Sequence, residues 1–195
     1  MAVKPGIILI GGGGHCLSTI DVIEQENKYL IKGILDPRLI GKTILSYPVL
    51  GDDSMIPSLI ANDTFFLITI GQIKSYALRK SLAKKLEYYK AAIATVVSPR
   101  AYCSKYSSIG KGSVIFHDAV INAGAVIGSH CIINTKADIE HGVTINDFCH
   151  ISTAAVINGD VTVGGGSFVG SNAVIAQGIS LGGDTIISAG AFIKK

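Results

Sequence analysis

A six-residue repeat fills the second half of the chain and restricts its fold more than any other feature. From Ile109 to Ile193 every sixth residue is Ile, Val or Leu, and twelve of these 15 positions are Ile. A small side chain (Ser, Ala or Cys) follows most of them four residues later. A period of six fits neither an α-helix nor an alternating strand. It is typical of a parallel β-helix, in which each coil stacks its apolar column on the next.

The first half of the chain instead alternates short aliphatic runs with amphipathic segments. The pattern predicts strands over residues 7–10, 31–35, 64–70 and 91–97, and helices over 18–27, 52–60 and 74–89. Strands that alternate with helices indicate a small parallel sheet of Rossmann type. The predicted fold is therefore α/β plus all-β, with a Rossmann-like domain over residues 1–98 and a β-helix over 99–195, separated at Pro99.

The stretch ILIGGGGHCLSTIDVI joins the first predicted strand to the first predicted helix. A strand, a glycine turn and a helix present backbone N–H groups to phosphate. The dinucleotide pattern G-x-G-x-x-G is incomplete, because Cys16 follows Gly11 and Gly13 where the third glycine belongs. Asp36, which precedes Pro37 after the second strand, lies about 20 residues after the glycines. Dinucleotide-binding domains have an acidic residue at this distance that binds the ribose hydroxyls. We expect a nucleotide smaller than NAD; the alternative is that these residues only form turns.

Composition excludes several other classes of protein. The net charge of +3 is scattered over 195 residues, so a nucleic-acid surface is disfavoured. No apolar run reaches the ~18 residues of a membrane span, and we expect a cytoplasmic protein. The four cysteines show no C-x-x-C spacing, so neither a zinc site nor a disulfide framework is indicated.

The repeat resembles the left-handed β-helix of hexapeptide acyltransferases, in which three hexapeptides form one triangular coil of 18 residues. The resemblance implies that residues 18 apart stack in columns. One such column would contain only small residues: Ser113, Cys131, Cys149 and Ser167. We therefore interpret Cys131 and Cys149 as turn fillers and not as a metal or redox pair.

The five histidines are not equivalent in this pattern. His117 and His130 are interpreted as surface residues of the β-helix. His141 is different, because the residue 18 positions later is Gly159. Adjacent strands lie ~4.8 Å apart, so a glycine there is expected to leave an open notch and a backbone N–H beside the imidazole. This arrangement suits acyl transfer.

The motifs GGGGH, ILD and ITIG, the hexapeptide repeat and NT-x-x-x-IEH…FCHIS together resemble the bacterial sugar-nucleotide acetyltransferases. The most similar group is the UDP-4-amino-sugar N-acetyltransferases of bacillosamine-type glycan synthesis, and the sialic acid O-acetyltransferases are related. This resemblance covers nearly the whole chain. It implies an acetyl-CoA-dependent N-acetyltransferase with acetyl-CoA as co-substrate, without a metal, acting on the 4-amino group of a nucleotide-linked sugar.

The resemblance also assigns roles to individual residues. The nucleotide sugar would be bound by Gly13, Gly14, His15, Asp36, Pro37 and Gly71. The catalytic base would be His141, with Glu140 and Asn134 nearby. Acetyl-CoA would contact His150, Gly159, Ser171 and Ala189, and the Gly159 amide would stabilise the oxyanion. Relatives have an acidic residue after the catalytic histidine, where this chain has Gly142; we expect Glu140 to orient the imidazole instead.

Two further expectations concern assembly and substrate. The family forms trimers, so we expect a homotrimer whose active sites combine His141 of one subunit with the sugar pocket of its neighbour. The sequence leaves the nucleotide open among UDP, GDP and dTDP. The alternatives are O-acetylation of a sialic acid-like sugar, and a catalytically silent trimeric scaffold.

Overall fold

The computed structural model describes residues 4–61 and 63–194 and divides the chain into two compact units. The first unit comprises the chain up to Gly71 together with Leu78–Ala94. The second comprises Gln72–Ala77 and the chain from Thr95 onward. The division falls ahead of Pro99, because the β-helix starts earlier than its aliphatic repeat suggests.

The first unit is a Rossmann-like sheet with helices. Its strands are β1 (Gly6–Ile10), β2 (Leu30–Leu35), β3 (Thr43–Ile44), β4 (Tyr47–Gly51), β5 (Thr64–Ile68) and β6 (Ala92–Ile93). They lie in the order β3-β4-β2-β1-β5-β6, and every pair is parallel except β3 with β4. The helices are α1 (Gly14–Glu26), α2 (Ile56–Leu59) after a 3₁₀ turn at Asp53–Met55, and α3 (Ala77–Tyr88). β1 is buried along its whole length, which explains its continuous aliphatic sequence.

Three local predictions for this half are wrong. α1 begins at Gly14 and not at Ser18, because extended Gly13 serves as its N-cap without a side chain. The β3–β4 hairpin was missed. The run AAIATVV is not one strand, since β6 pairs with β5 whereas Val96–Val97 pairs with the β-helix.

The second unit is a parallel β-helix, as the repeat predicts, and it is left-handed, as the resemblance to hexapeptide acyltransferases implies. Its strands contain two residues each and form three parallel sheets. Sheet I contains β7 (Val96–Val97), β10 (Val114–Ile115), β13 (Ile132–Ile133), β16 (His150–Ile151), β19 (Phe168–Val169) and β22 (Ile186–Ile187). Sheet II contains β8 (Tyr102–Cys103), β11 (Val120–Ile121), β14 (Asp138–Ile139), β17 (Val156–Ile157), β20 (Val174–Ile175) and β23 (Phe192–Ile193). Sheet III contains β9 (Ser108–Ile109), β12 (Val126–Ile127), β15 (Thr144–Ile145), β18 (Thr162–Val163) and β21 (Ser180–Leu181).

The strand register confirms the columns of residues 18 apart. Val114 pairs with Ile132, which pairs with His150 and then Phe168. The second residue of each strand points inward, and these aliphatic side chains form one continuous core. Val97 and Cys103 occupy the same inward position in the first coil. The β-helix therefore includes two hexapeptides ahead of Ile109, where the aliphatic repeat begins.

The column of small residues lies in this interior. Ser113, Cys131, Cys149 and Ser167 are all fully buried, and both cysteines are free thiols. Burial raises the pKa of the Cys131 thiol well above its ordinary value. Their interpretation as turn fillers agrees with this packing. In residues 4–61 and 63–194 there is no group of three or more His, Cys, Asp and Glu side chains suited to a metal ion.

The helices are short. Within the described part of the chain, none has the length and apolar character needed to cross a membrane.

Candidate active site

The glycine turn of the first unit places open backbone at the start of α1. Gly13 and Gly14 are exposed, and a Cβ added at either would meet nothing within 4 Å. Their amides lie at the N-terminus of a 13-residue helix, where the helix dipole and unbonded N–H groups favour an anion. Gly71, at the end of the ITIG motif, lies beside His15, since a Cβ there would be 3.7 Å from the His15 Cβ.

A cavity of about 530 Å³ opens at this turn, a size suited to a small-molecule ligand. Its walls are mostly apolar, with a few polar groups. All six predicted nucleotide-sugar residues line it, and sequence reasoning missed the other ten: Ile10, Gly11, Leu35, Arg38, Asp53, Thr69, Ile70, Leu78, Ser81 and Leu82. Ser81, Leu82 and Leu78 come from α3, whose pattern indicates only a solvated amphipathic helix.

Asp36 lines the cavity, but its carboxylate is already bonded to backbone. One oxygen accepts the Gly12 N–H at 2.9 Å, and the other accepts the Arg38 N–H at 2.9 Å. Burial opposes ionisation, but these two amides and the Arg38 guanidinium together outweigh it and hold the pKa of Asp36 below its usual value. Asp36 therefore fixes the glycine turn to the loop after β2, and this role is independent of any hydrogen bond to a ribose.

Cys16 follows the turn directly and is also ionisable. It is fully buried, and burial raises the pKa of its thiol to about 11. A thiol in this state is not a nucleophile at neutral pH.

In the β-helix, His141 lies on the outside, in the turn after β14, and its imidazole packs over Gly159 of the next coil. A Cβ at Gly159 would lie 2.6 Å from the His141 Cε1 and 2.8 Å from its Nε2. The expected open notch is therefore wrong: the ring itself occupies that space. Glycine at 159 leaves room for the imidazole to pack against the neighbouring turn.

Gly142 has a similar relation to Asp160. Its φ is +69°, a conformation that favours glycine, and a Cβ there would lie 2.3 Å from the Asp160 Oδ1. A glutamate introduced at 142 would therefore strain the turn and displace a carboxylate that is already present.

Glu140 and Asn134 have other partners. The Glu140 carboxylate accepts a hydrogen bond from the Asn122 side chain at 3.0 Å. The Asn134 side-chain amide lies 3.4 Å from the His150 Nε2. Asn134 follows sheet I, whereas Glu140 and His141 follow sheet II, so one chain places these residues in two different turns of the coil.

His150 is held by contacts on both ring nitrogens. It is only 7% exposed, and its Nδ1 lies 2.5 Å from the Gln72 backbone oxygen. Because a carbonyl only accepts, Nδ1 carries a proton, and in the neutral ring Nε2 accepts from Asn134. The Gln72 side chain donates to the Phe148 and Gly166 carbonyls, which fixes this arrangement. Gln72 had no recognisable signal in the sequence.

The remaining predicted coenzyme contacts share the turn after sheet I with Asn134. The Ser171 hydroxyl bonds the Ser152 hydroxyl at 2.9 Å, and Ala189 is the exposed residue 18 positions after Ser171. Ser171, Ala189 and Asn134 therefore lie along one corner of the triangular β-helix, whereas His141 and Gly159 lie along the next.

The two histidines interpreted as surface residues differ from each other. His117 is half-buried and bonds the Ser98 hydroxyl at 2.7 Å. His130 is 5% exposed and stacks on Phe148 at 5.0 Å. The surface interpretation of His130 is wrong, because this ring packs against an aromatic partner.

Comparisons with known proteins agree with both halves. Residues 6–86 match the family described as the PglD N-terminal domain. PerB from Caulobacter crescentus, solved with CoA and GDP-perosamine, is 29% identical with a TM-score of 0.91 over 99% of this chain and 90% of that chain. No curated protein matches the sequence.

Two further solved structures agree with these matches. The acetyltransferase domain of PglB from Neisseria gonorrhoeae, solved with acetyl coenzyme A, is 26% identical with a TM-score of 0.92 over 98% of this chain and 92% of that chain. A histidine-to-asparagine mutant of perosamine N-acetyltransferase from Caulobacter crescentus, with CoA and GDP-perosamine, is 28% identical with a TM-score of 0.92, and the match covers 99% of this chain and 90% of that chain.

These findings identify the class of the protein: a Rossmann-like domain followed by a left-handed β-helix with the architecture of CoA-binding enzymes. The first domain matches the model of the PglD N-terminal domain. The resemblance to sugar-nucleotide acetyltransferases of the hexapeptide-repeat class is confirmed.

Proposed function

We propose that the protein transfers an acetyl group from acetyl-CoA to the amino group of a nucleotide-linked amino sugar, at the 4-position of the sugar. The observation that carries the proposal is the exposed imidazole of His141, held against Gly159. The similarity to perosamine N-acetyltransferase solved with CoA and GDP-perosamine, over 99% of this chain, supports the same reaction.

In this reaction the sugar nitrogen attacks the thioester carbon while His141 accepts its proton. The Gly159 amide is proposed to stabilise the oxyanion of the tetrahedral intermediate. When the intermediate collapses, the carbon–sulfur bond breaks and His141 returns the proton to the thiolate. The products are an N-acetyl sugar and free CoA, so neither a metal nor an acyl-enzyme takes part.

The nucleotide sugar is proposed to bind in the cavity of the first unit. Its diphosphate would lie at Gly13 and Gly14, where the helix N-terminus offers open amides. Gly71 and His15 would then face the sugar, and the apolar walls of the cavity would take the base.

A thiol-release assay tests this function and separates it from the alternatives. The protein is mixed with acetyl-CoA and either a nucleotide-linked 4-amino sugar or the matched 4-hydroxy sugar, each as its UDP, GDP and dTDP form. We expect CoA release with the amine. Release with the hydroxyl sugar alone would favour O-acetylation, and release with neither, without acetyl-CoA binding by calorimetry, would favour a silent scaffold.

The proposal includes a homotrimer. Asn134, Ser171 and Ala189 lie along one corner of the β-helix and His141 along the next, so a complete site needs a second copy of the chain. Large apolar side chains are also exposed on the outside of the β-helix, as an interface requires: Tyr102, Tyr106, Val126, Ile186 and Phe192. Light scattering at micromolar concentration is expected to give a trimer, and a monomer would contradict this. The cytoplasmic location predicted from the sequence belongs to the same proposal.

A further inference from the structure

An ion pair joins two walls of the cavity in the first unit. The Lys85 ammonium lies 2.6 Å from the Asp53 Oδ2, and both side chains are partly exposed. Asp53 begins the 3₁₀ turn after β4 and lines the cavity. Lys85 lies on α3, one helical turn after Ser81 and Leu82, which also line the cavity. A carboxylate and an ammonium group therefore stand side by side at the edge of the cavity.

The order of the strands places this pair on the far side of the glycine turn from Gly71. β1 leads into the glycine turn, β2 into Asp36 and β4 into Asp53, and these strands are neighbours in the order β4-β2-β1. The Asp36 N–H donates to the Gly51 carbonyl at 2.8 Å, which holds the ends of β2 and β4 together. Gly71 follows β5, on the other side of β1. A nucleotide with its diphosphate at the glycine turn and its sugar at Gly71 therefore directs its base toward Asp53.

Asp53 also differs from Asp36, the other carboxylate among the described residues that line the cavity. Both oxygens of Asp36 accept N–H groups of the backbone. In Asp53 it is Oδ2 that accepts from Lys85. A carboxylate oxygen accepts more than one hydrogen bond, and an ammonium group has further N–H donors. The pair thus presents two acceptor oxygens beside a donor.

We propose that the cavity selects a guanine nucleotide, and that Asp53 determines this preference. The inference rests on the proposed function, in which the cavity binds the nucleotide of the sugar substrate. The Watson–Crick edge of guanine presents the O6 acceptor followed by the N1–H and N2–H donors. The Asp53 carboxylate accepts from both donors, and the Lys85 ammonium donates to O6.

Uracil and thymine do not fit this pair. Their edge has a single N3–H donor between two carbonyl oxygens, O2 and O4. If one oxygen of Asp53 accepts from N3–H, the other faces a carbonyl oxygen, and two acceptors repel because no proton lies between them. A bidentate contact of this kind discriminates between bases by about 10- to 100-fold in affinity.

Calorimetry with GDP, UDP and dTDP, on the full chain without acetyl-CoA, tests the inference. Wild-type protein should bind GDP about 10- to 100-fold more tightly than UDP or dTDP. Asp53→Asn should remove this preference and tighten UDP binding, because an amide offers one donor and one acceptor to the uracil edge. The inference is overturned if wild-type protein binds UDP or dTDP as tightly as GDP, or if Asp53→Asn weakens all three equally.

Asp52→Asn is the matched control in the same turn. The Asp52 side chain caps the turn by accepting the Ser54 N–H at 2.8 Å, and asparagine caps equally well. Asp52 lies outside the lining of the cavity. The preference for GDP should therefore persist in this variant. Its loss there, to the same extent as in Asp53→Asn, would attribute the effect to the turn and overturn the role of Asp53.

Thiol release separates this inference from the proposed function. Acetyl transfer to the UDP- or dTDP-linked amino sugar, and not to the GDP-linked form, would support the proposed function and overturn the choice of base. A preference for GDP in calorimetry, without thiol release from any of the sugars, would support the choice of base and contradict the proposed function. Absence of binding by all three nucleotides would overturn both the inference and the proposed nucleotide site.

Discussion

The glycines at the nucleotide cavity and those around His141 have opposite surroundings. At the start of α1, Gly13 and Gly14 face empty space, with nothing within 4 Å of an added Cβ. In the β-helix, Gly159 and Gly142 face the His141 ring and the Asp160 carboxylate, and Gly128 faces the backbone of the next coil. In the sequence these glycines look alike, and only the structure distinguishes them.

The difference separates binding from chemistry. An open glycine leaves room for a ligand to approach the backbone, as a phosphate does at a helix N-terminus. A filled glycine lets a neighbouring side chain take a position that a Cβ would forbid. On this account the first domain binds the nucleotide sugar, and the β-helix positions the base that acts on it.

The largest effect on kcat is expected at His141, the proposed base in the β-helix. His141→Ala should lower kcat by about 10²–10⁴-fold, the usual worth of a positioned base. The side chain is exposed and outside the aliphatic columns, so folding and assembly should persist. Steady-state kinetics and light scattering measure both.

His117→Ala is the control for that substitution. Its ring bonds Ser98 and lies in the turn after sheet I, away from the turn of His141. Stability can fall with loss of this bond, but kcat should stay close to wild type. Equal losses of kcat in the two variants would show that His141 is not the catalytic base.

Gly159→Ala tests whether a filled glycine sets the geometry of the base. The new Cβ would lie 2.6 Å from the imidazole, so the ring must move, and a displacement of about 1 Å costs about 10²-fold in rate. Gly182→Ala is the matched control, because that glycine of the β-helix has nothing within 4 Å. An unchanged kcat in Gly159→Ala would show that the contact has no catalytic role.

Gly13→Ala tests the open glycine. Its φ of −80° suits alanine, so stability should hold, while KM for the nucleotide sugar should rise about tenfold, equivalent to about 1.4 kcal/mol. KM for acetyl-CoA should not change. Gly12→Ala should instead lower stability. Its Cβ would lie 2.5 Å from the Ile44 Cδ1, and this overpacking should lower the free energy of unfolding by about 1–3 kcal/mol.

The smallest effect concerns Asp36 and depends on pH. Its folded pKa is lowered, so the carboxylate stabilises the fold above its unfolded pKa of about 3.9, and this contribution is lost as pH falls through the folded value. Asp36→Asn should therefore lower the free energy of unfolding by about 1 kcal/mol at neutral pH, because the amide keeps one acceptor oxygen and loses the other. The gap between variant and wild type should close in strong acid; a constant gap in melts across that range would contradict it.

The β-helix was predictable because each hexapeptide has the same pattern of aliphatic and small residues. An inward aliphatic residue every six positions describes the core of every coil from Ile109 onward. The first coil was missed because Cys103 occupies the inward position in place of an aliphatic residue, and because Val97 read as the end of a Rossmann strand.

The contacts between coils were not predictable from the repeat alone. Columns of residues 18 apart place Gly159 beside His141, but they do not say which side chain fills the gap. Gln72 bonds His150, 78 residues later, and no local pattern marks such a partner. The start of α1 was missed for a different reason, since Gly13 caps it without a side chain.

The central claim is acetyl transfer to nitrogen at His141, and product analysis tests it most directly. Wild-type protein and His141→Ala are each incubated with acetyl-CoA and the nucleotide-linked 4-amino sugar, and the nucleotide sugar is examined by mass spectrometry before and after hydroxylamine. We predict one added acetyl group with wild-type protein, retained after hydroxylamine because it is an amide, and far less with the variant. An acetyl group removed by hydroxylamine, or equal yields from both proteins, would contradict the account.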